Sequence, residues 1–343
     1  MNVPLVSILI PAYNAEWCIA ESIQSALAQT WPHKEIIVVD DGSTDRTADI
    51  ARQFASKNVK ILSTENRGQS GAVNNAYRLC QGHYIQELDA DDVLASDKIE
   101  RQLAALRKCD SKRTLLSSSM AFFYYRNRNA RFIHNSLCQD LSSAEWLLRK
   151  MGQNLHMQNA TWLVSRELAE AAGPWNEQLN YDQDGEYFVR LLVKSEGTRF
   201  VPGTGVYYRI TGSNRVSHIG RSEKKKESLL LSMKLHVQYL RSLEESERVR
   251  KACLTYVQNW YGNFYPERPD LVSQLRDLAG ELGGHLEPPH LRWKYAWMKP
   301  LIGEKAAKSA QMTLPQLKSS LIRRFDKAMH TLETRAAAVK HNI

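Results

Sequence analysis

The sequence predicts an α/β fold: a mixed, mostly parallel sheet flanked by helices, followed by a helical C-terminal extension. Three observations carry this. Short, nearly continuous apolar runs alternate with helical-period segments through the first hundred residues, the pattern of strands buried on both faces by crossover helices. Three of those runs end in polar residues, at Tyr13-Asn14, Asp40-Asp41 and Asp89 to Asp92. After about residue 220 the strand signals stop.

"LVSILI" (5–10) is the first strand, ended by Pro11, and Asn14 is placed to cap a helix with Ile19, Ile23, Ala26 and Leu27 at helical spacing. "EIIVVD" (35–40) is the second strand, closed by Asp-Gly and a Ser-Thr-Asp helix start. "VKIL" (59–62) is the third. A helix follows with Ala72, Val73, Ala76, Leu79 and Cys80 on one face, and "HYIQELD" (83–89) is the fourth strand. Between 100 and 215 the pattern is mixed: "TLLSSSMAFFYYR" reads as strand, "SAEWLLRKM" and "RELAEAAG" as helix, with a turn at Gly173-Pro174. We divide the chain at 218. Residues 1–218 form an α/β unit, in two halves (1–100 and 101–218), and 219–343 form a basic, mainly helical region.

Of 343 residues, 43% are hydrophobic and 24% charged, as in an ordinary globular protein. No run approaches eighteen apolar residues. The start, "MNVPLVSILIPAYN", lacks a basic n-region and its apolar run is short and strand-like, so a cytoplasmic location is expected. Five scattered cysteines make no C-x-x-C pair and are read as reduced thiols. Asn159-Ala160-Thr161 matches a glycosylation acceptor pattern, to which no weight is given without a secretion signal. The net charge of +9 suits an anionic partner.

Three carboxylates (Asp89, Asp91, Asp92) within four positions repel one another unless a positive charge sits among them. There is no G-x-G-x-x-G after the first strand and no G-x-x-x-x-G-K-[ST], so neither a dinucleotide fingerprint nor a P-loop is present to cradle phosphates. A divalent cation that arrives with a diphosphate meets the same need, because Mg²⁺ and Mn²⁺ prefer carboxylate and phosphate oxygens.

"VSILIPAYNAEWCIAESIQSALAQTWPHKEIIVVDDGSTDRT" and "ENRGQSGAVNNAYRLCQGHYIQELDADD" resemble the nucleotide-sugar-binding half of family 2 glycosyltransferases with a GT-A fold. The likeness runs from about residue 4 to 100 and continues more weakly to about 215. It implies that Pro11, Ala12, Tyr13 and Asn14 line the nucleotide base, with Tyr13 stacking on it. Asp41 would accept from the base's imide N–H while Asp40 braces the turn, and Gly68, flanked by Asn66 and Arg67, passes close to the nucleotide. Asp89 and Asp91 would form a D-x-D element, one on ribose or sugar and one on Mn²⁺ or Mg²⁺, with Asp92 the next metal candidate. At the family's A-R-N position this chain has Val73 before Asn74, so any contact made by that arginine is lost or moved.

"YDQDGEYFVRLL" (181–192) resembles the family segment E-D-x-D/E. Aligned on Arg190, it places Asp184 at the catalytic base, with Gln183 where glutamate is common; Asp182 is a rival and Glu186 a neighbour. The implied reaction is inverting, in a single displacement: Asp184 takes the proton of an acceptor hydroxyl as it attacks the anomeric carbon. UDP is the default base, with GDP and dTDP as alternatives, and the acceptor is a carbohydrate or lipid-linked sugar of cell-surface polysaccharide or glycolipid synthesis. Trp162 falls where the fold often builds an acceptor wall, and a core role is as good a reading. His156 reads as structural. Arg209 or Arg215 could reach a phosphate or make a salt bridge.

In the tail, "LRWKYAWMKPL" (291–301) interleaves aromatic and basic residues, and Leu317, Leu321, Phe325, Met329 and Leu332 trace one helical face. A helical cap or a dimer contact is the first expectation there, and peripheral membrane contact the alternative. Nucleic-acid binding is not expected, since no recognised module accompanies the charge. Two other functions compete. A sugar-nucleotide pyrophosphorylase would want a Gly-rich basic loop after the first strand, which "PAYNAEW" lacks. A catalytically inactive glycosyltransferase-like binding protein would have lost the D-x-D or the base.

Overall fold

The computed structural model describes residues 3–106, 113–211, 219–220, 222–289, 291 and 293–341. Cys109, Arg215 and Arg292 lie outside the described residues. At the centre, β1 (Val6–Ala12) is paired in parallel with β2 (Lys34–Asp40) on one side and β4 (Tyr84–Glu87) on the other. β3 (Val59–Ser63) extends the sheet beyond β2, and the short β8 (Val164–Ser165) closes it antiparallel to β4, for an order β3-β2-β1-β4-β8. In-register pairing sets Ala12 beside Asp40 and Leu9 beside Glu87, so the polar ends of these strands open at one edge. The strand order reverses around β1, the place where α/β sheets bind ligands.

Alternation along the strands splits the core in two. Ile8, Ile10, Ile36 and Val38 pack with Ile19, Ile23 and Ala26 of α1 (Ile19–Leu27). Leu9, Ile37 and Val39 face Ala72, Val73 and Ala76 of α3 (Gly68–Leu79). α2 (Thr47–Arg52) lies between β2 and β3 in sequence, and α4 (Lys98–Leu106) follows β5 (Val93–Leu94). A second sheet, order β5-β9-β6-β7, uses β6 (Leu115–Phe123), β7 (Phe132–Ile133) and β9 (Thr198–Arg209). Helices α5 (Ser143–Gly152), α6 (Arg166–Ala172) and α7 (Gln183–Lys194) complete this half.

The C-terminal region is helical: α8 (Glu223–Leu243), α9 (Glu247–Tyr261), α10 (Pro269–Glu281), α11 (Trp293–Ala296) and α12 (Lys299–His341), the last interrupted at Gly303. Its core is not separate. Leu229, Met233, Cys253 and Leu275 belong to the same buried cluster as Trp162, Phe188 and Leu9, so the core is continuous across 218 although the composition changes there.

Local details depart from the sequence expectation: Leu27 and Leu79, expected on the apolar faces of α1 and α3, are exposed at the helix ends. β1 runs through Pro11 to Ala12 rather than stopping before it. Asn14 caps no helix: it sits in the left-handed region (φ 48°), and its side-chain oxygen accepts from Thr44 N–H at 2.9 Å. Local Asn-to-backbone bonds compete with helix formation in this way, and α1 begins five residues later.

Candidate active site

Each wall of the cleft is held by backbone geometry that the sequence requires. After β2, Asp40 Oδ1 accepts from Ser43 N–H at 3.3 Å and braces the turn. Gly42 takes φ +72°, and a Cβ there would lie 2.9 Å from Asn66 N, so only glycine lets the two loops meet. Asp41 is buried and accepts from Arg67 N–H at 2.8 Å; burial, opposed by that bond and one from Gly68, raises its pKa. Gly68 also needs its positive φ of +76°, yet a Cβ there would touch nothing within 4 Å, so its outer side faces open space. Tyr13 (53% exposed) and Asn14 stand at the rim, with Pro11 half-buried and Ala12 buried behind them.

The D-A-D-D turn after β4 divides its carboxylates between different tasks. Asp89 accepts from three side-chain amides: Gln69 at 3.0 Å, Asn159 at 3.1 Å and Gln158 at 3.3 Å. Burial and the neighbouring Asp91 charge push its pKa up to about 7 against those donors. Asp91 is half-buried. Asp92 is wholly buried, with one oxygen accepting from Arg209 N–H at 2.8 Å and the other from Gln158 Nε2 at 2.6 Å. It was expected as a metal ligand, but both its oxygens are engaged inside the protein: it anchors the turn. Arg209 does not reach out for a phosphate either. It is 3% exposed, donates from Nε to the Asp91 carbonyl at 2.6 Å, pairs with Glu21 and lies over the Phe123 ring.

α7 brings the acidic segment 182–186 to the same place and then separates its members. Asp184, in the first turn, is half-buried; burial first and the Asp182 charge second raise its pKa, while His156 lowers it. Its charge acts on both Glu87 and Asp89, which sets this turn over the end of β4. Asp182 adopts φ 58° and accepts from Ser232 of α8 at 2.5 Å. Glu186 is buried in an ion pair with Arg190 at 2.8 Å and accepts from Tyr239 at 2.8 Å. It lines a separate cavity of about 560 Å³ that also includes Arg78, Arg190 and Tyr239 and none of Asp89, Asp91 or Asp184. Asp182 and Glu186, expected near the acceptor, are thus fastened to the helical region instead. Trp162 is corrected in the same way: at 1% exposure, stacked on Phe188 and packed against Trp146, it is core and not an acceptor wall.

Several side chains that matter here carried no usable sequence signal. Gln158 and Asn159 orient Asp89, and Asn159, with only 3% exposure, sits too deep for the glycosylation its pattern suggested. His156 is exposed beside Asp184 rather than structural. Glu87 is fully enclosed next to Asp89; burial holds its pKa well above the usual carboxylate range. Oε1 accepts from Trp175 Nε1 at 3.1 Å while Oε2 has no partner, as fits a protonated acid. Asn74 pins the loop carrying Trp175 through two backbone bonds, and Val73 lies in the core.

The described residues hold no group of three or more His, Cys, Asp or Glu side chains arranged to enclose a cation. The half-buried Asp91 carboxylate next to the oriented Asp89 fits a different kind of site, in which Mg²⁺ or Mn²⁺ takes one or two carboxylates and completes its shell with phosphate oxygens and water.

The family model described as "Glycosyl transferase family 2" matches residues 7–161. Chondroitin synthase of Escherichia coli is 43% identical over 130 residues, covering 37% of this chain and 18% of that protein. The E. coli enzyme named UDP-Glc:alpha-D-GlcNAc-diphosphoundecaprenol beta-1,3-glucosyltransferase WfgD is 40% identical over 105 residues, 30% of this chain and 42% of that one. The chain therefore spans less than two thirds of the length of these curated relatives. Among solved structures, S. aureus TarS in complex with UDP-GlcNAc superposes with a TM-score of 0.59 at 20% identity, covering 81% of this chain and 87% of that one. The mannosyltransferase PcManGT from Pyrobaculum calidifontis, in complex with GDP-Man and Mn²⁺, gives 0.51 at 18% identity over 98% of this chain and 87% of its own. At those identities the likeness is one of fold.

Proposed function

Because the chain belongs to glycosyl transferase family 2 through residues 7–161, we propose that it moves a sugar from a nucleotide-diphospho-sugar to an acceptor hydroxyl, with inversion at the anomeric carbon. The observation that carries this reading is that Asp89, Asp91 and Asp184 meet at the carboxyl end of β4 and the start of α7, with Asp41 after β2 joined to Asp89 through the turn from Arg67 to Gln69. Tyr13, Asn14 and Asp41 receive the base, and the open side of Gly68 admits the rest of the nucleotide. Asp89, oriented by three amides, contacts ribose or sugar.

Asp91 would hold Mn²⁺ or Mg²⁺. Once bound with the diphosphate, such an ion offsets the charge that builds on the leaving phosphate oxygen. Asp184 accepts the acceptor hydroxyl's proton as that oxygen attacks, and its raised pKa makes it a stronger base than a solvated aspartate. No protein nucleophile takes part. UDP is the favoured base, supported by the UDP-GlcNAc complex of TarS and the UDP-Glc of WfgD's name. A carbohydrate or lipid-linked acceptor accords with the names of those relatives. We place the reaction in the cytoplasm, where free thiols such as Cys18, Cys80, Cys138 and Cys253 stay reduced.

The test is a screen for nucleoside diphosphate release from a panel of nucleotide sugars, with and without Mn²⁺ or Mg²⁺. Metal-dependent release from one donor, lost in Asp91→Ala, supports the reading. No release together with no nucleotide binding by calorimetry would replace it with the inactive, binding-only alternative.

A further inference from the structure

We propose that α12 seats this protein on an anionic lipid bilayer, through an apolar stripe that the fold leaves uncovered. Nine of the fifteen large apolar side chains exposed among the described residues fall between 297 and 332, far more than scattered surface residues would concentrate in one segment. On α12, Leu314, Leu317, Leu321, Phe325 and Leu332 stay between 45% and 67% exposed. At 3.6 residues per turn their spacing confines them to a stripe roughly 80° wide.

The opposite flank of the helix is fastened to the body. Asp326 accepts from Tyr125 N–H at 2.8 Å and pairs with Arg126 at 2.6 Å, Glu333 pairs with Arg126 and Arg128, and Ser319 meets the Tyr124 hydroxyl. Held by that side, the helix turns its apolar stripe away from the protein. The docking point adjoins the candidate active site. His330 packs on Tyr125, Tyr125 on Trp17, and Arg209 links Trp17 to the Asp91 backbone.

Charge selects the occupant. Residues 293–341 contain ten lysines and arginines against three acids, and Asp326 and Glu333 are spent on the body. Lys318 and Arg324 border the stripe on either side, both at positions exposed to solvent. A second copy of the same helix would set these flanking cations against one another. An anionic headgroup layer neutralises those flanks while its acyl boundary takes the leucines and the phenylalanine, the arrangement of an interfacial amphipathic helix. Trp297 (63% exposed) and Leu301 (72% exposed) add exposed apolar side chains ahead of the break at Gly303. No helix among the described residues is long and apolar enough to cross the bilayer, so the contact lies in the interface plane.

The experiment is flotation of the full chain with vesicles of phosphatidylcholine alone or mixed with phosphatidylglycerol. The wild type should float with the mixed vesicles, less so at high salt, and not with the neutral ones. Leu321→Glu/Phe325→Glu should lower the bound fraction about tenfold or more, while Leu79→Glu, an exposed apolar site elsewhere, should not. Lys318→Gln/Arg324→Gln should weaken binding and flatten its salt dependence, and it keeps the test open if the glutamate pair fails to fold. No flotation, or flotation indifferent to both double substitutions, overturns the proposal. So does a dimer, seen by light scattering without vesicles, that the glutamate pair dissolves. The assay reads the surface alone, so a failed donor screen would leave it standing, and failed flotation would leave the transferase reading intact.

Discussion

Gln183 donates its side-chain N–H to Gln69 Oε1 at 2.7 Å, and this bond ties the first turn of α7 to the donor-binding turn, because Gln69 in turn donates to Asp89 at 3.0 Å. The carboxylate fixes the direction of the chain. Asp89 can only accept while ionised, so Gln69 presents its NH₂ to Asp89 and its oxygen to Gln183, and Gln183 must present its own NH₂. A glutamate at 183, common in the family, would set a carboxylate against an amide oxygen. The neutral side chain is matched to Gln69.

If the chain acts as a unit, its two links are not independent. Gln69→Met and Gln183→Met should each cut donor turnover about tenfold, and the double variant should be no worse than either single one. Effects that multiply to about a hundredfold would mean that the two glutamines act separately.

Asp184→Asn removes the proposed base and leaves its volume. Transfer to acceptor should fall by about 10²–10⁴-fold with little change in donor affinity. Because burial raises the Asp184 pKa, wild-type activity should be lost as pH falls through a value above the ordinary aspartate range, and pH–rate profiles would locate it.

The D-A-D-D turn yields a contrast. Asp91→Asn should weaken Mn²⁺ binding in the presence of nucleoside diphosphate, by about tenfold or more. Asp92→Asn should instead destabilise the fold by about 1–3 kcal/mol, since an NH₂ would face either the Arg209 N–H or the Gln158 amide. Calorimetry and denaturant melts separate the two.

Glu87 makes stability depend on pH. Its folded-state pKa lies well above 4.5, so the folded protein holds a proton that the unfolded chain releases. The stabilisation is complete below about pH 4 and is lost as pH rises toward the folded pKa, at about 1.4 kcal/mol per unit across that window. Glu87→Gln keeps the acceptor for Trp175 and has no proton to lose. It should match the wild type at pH 4 and exceed it at pH 7, and equal melts at both would refute the protonated assignment.

Trp162→Ala should cost about 3–5 kcal/mol of stability, as expected for a ring stacked in the core. Any activity left in the folded fraction should show an unaltered KM for acceptor.

Apolar periodicity and strand-end polarity placed β1 to β4, the crossover helices and the edge where the site opens. Those signals are local, a period of 2 or 3.6 written in neighbouring residues, and burial on a sheet enforces them. Asp41, Asp89, Asp91 and Asp184 came from the resemblance of their motifs to those of the family, not from periodicity. The roles within a cluster were not legible. Asp91 and Asp92 are adjacent and chemically identical, yet the two oxygens of Asp92 are taken by Arg209 and Gln158, which lie 117 and 66 positions away. Asp182 and Glu186 left the cleft for α8 in the same manner, and Gln69 meets Gln183 across 114 residues. The amino-acid sequence by itself determined the strand–helix alternation of a mostly parallel sheet and, through its motifs, the candidate carboxylates. Only the tertiary structure decided which of those carboxylates face the cleft, because a side chain's hydrogen-bonding capacity is filled by whatever distant donors the packing brings within 3 Å.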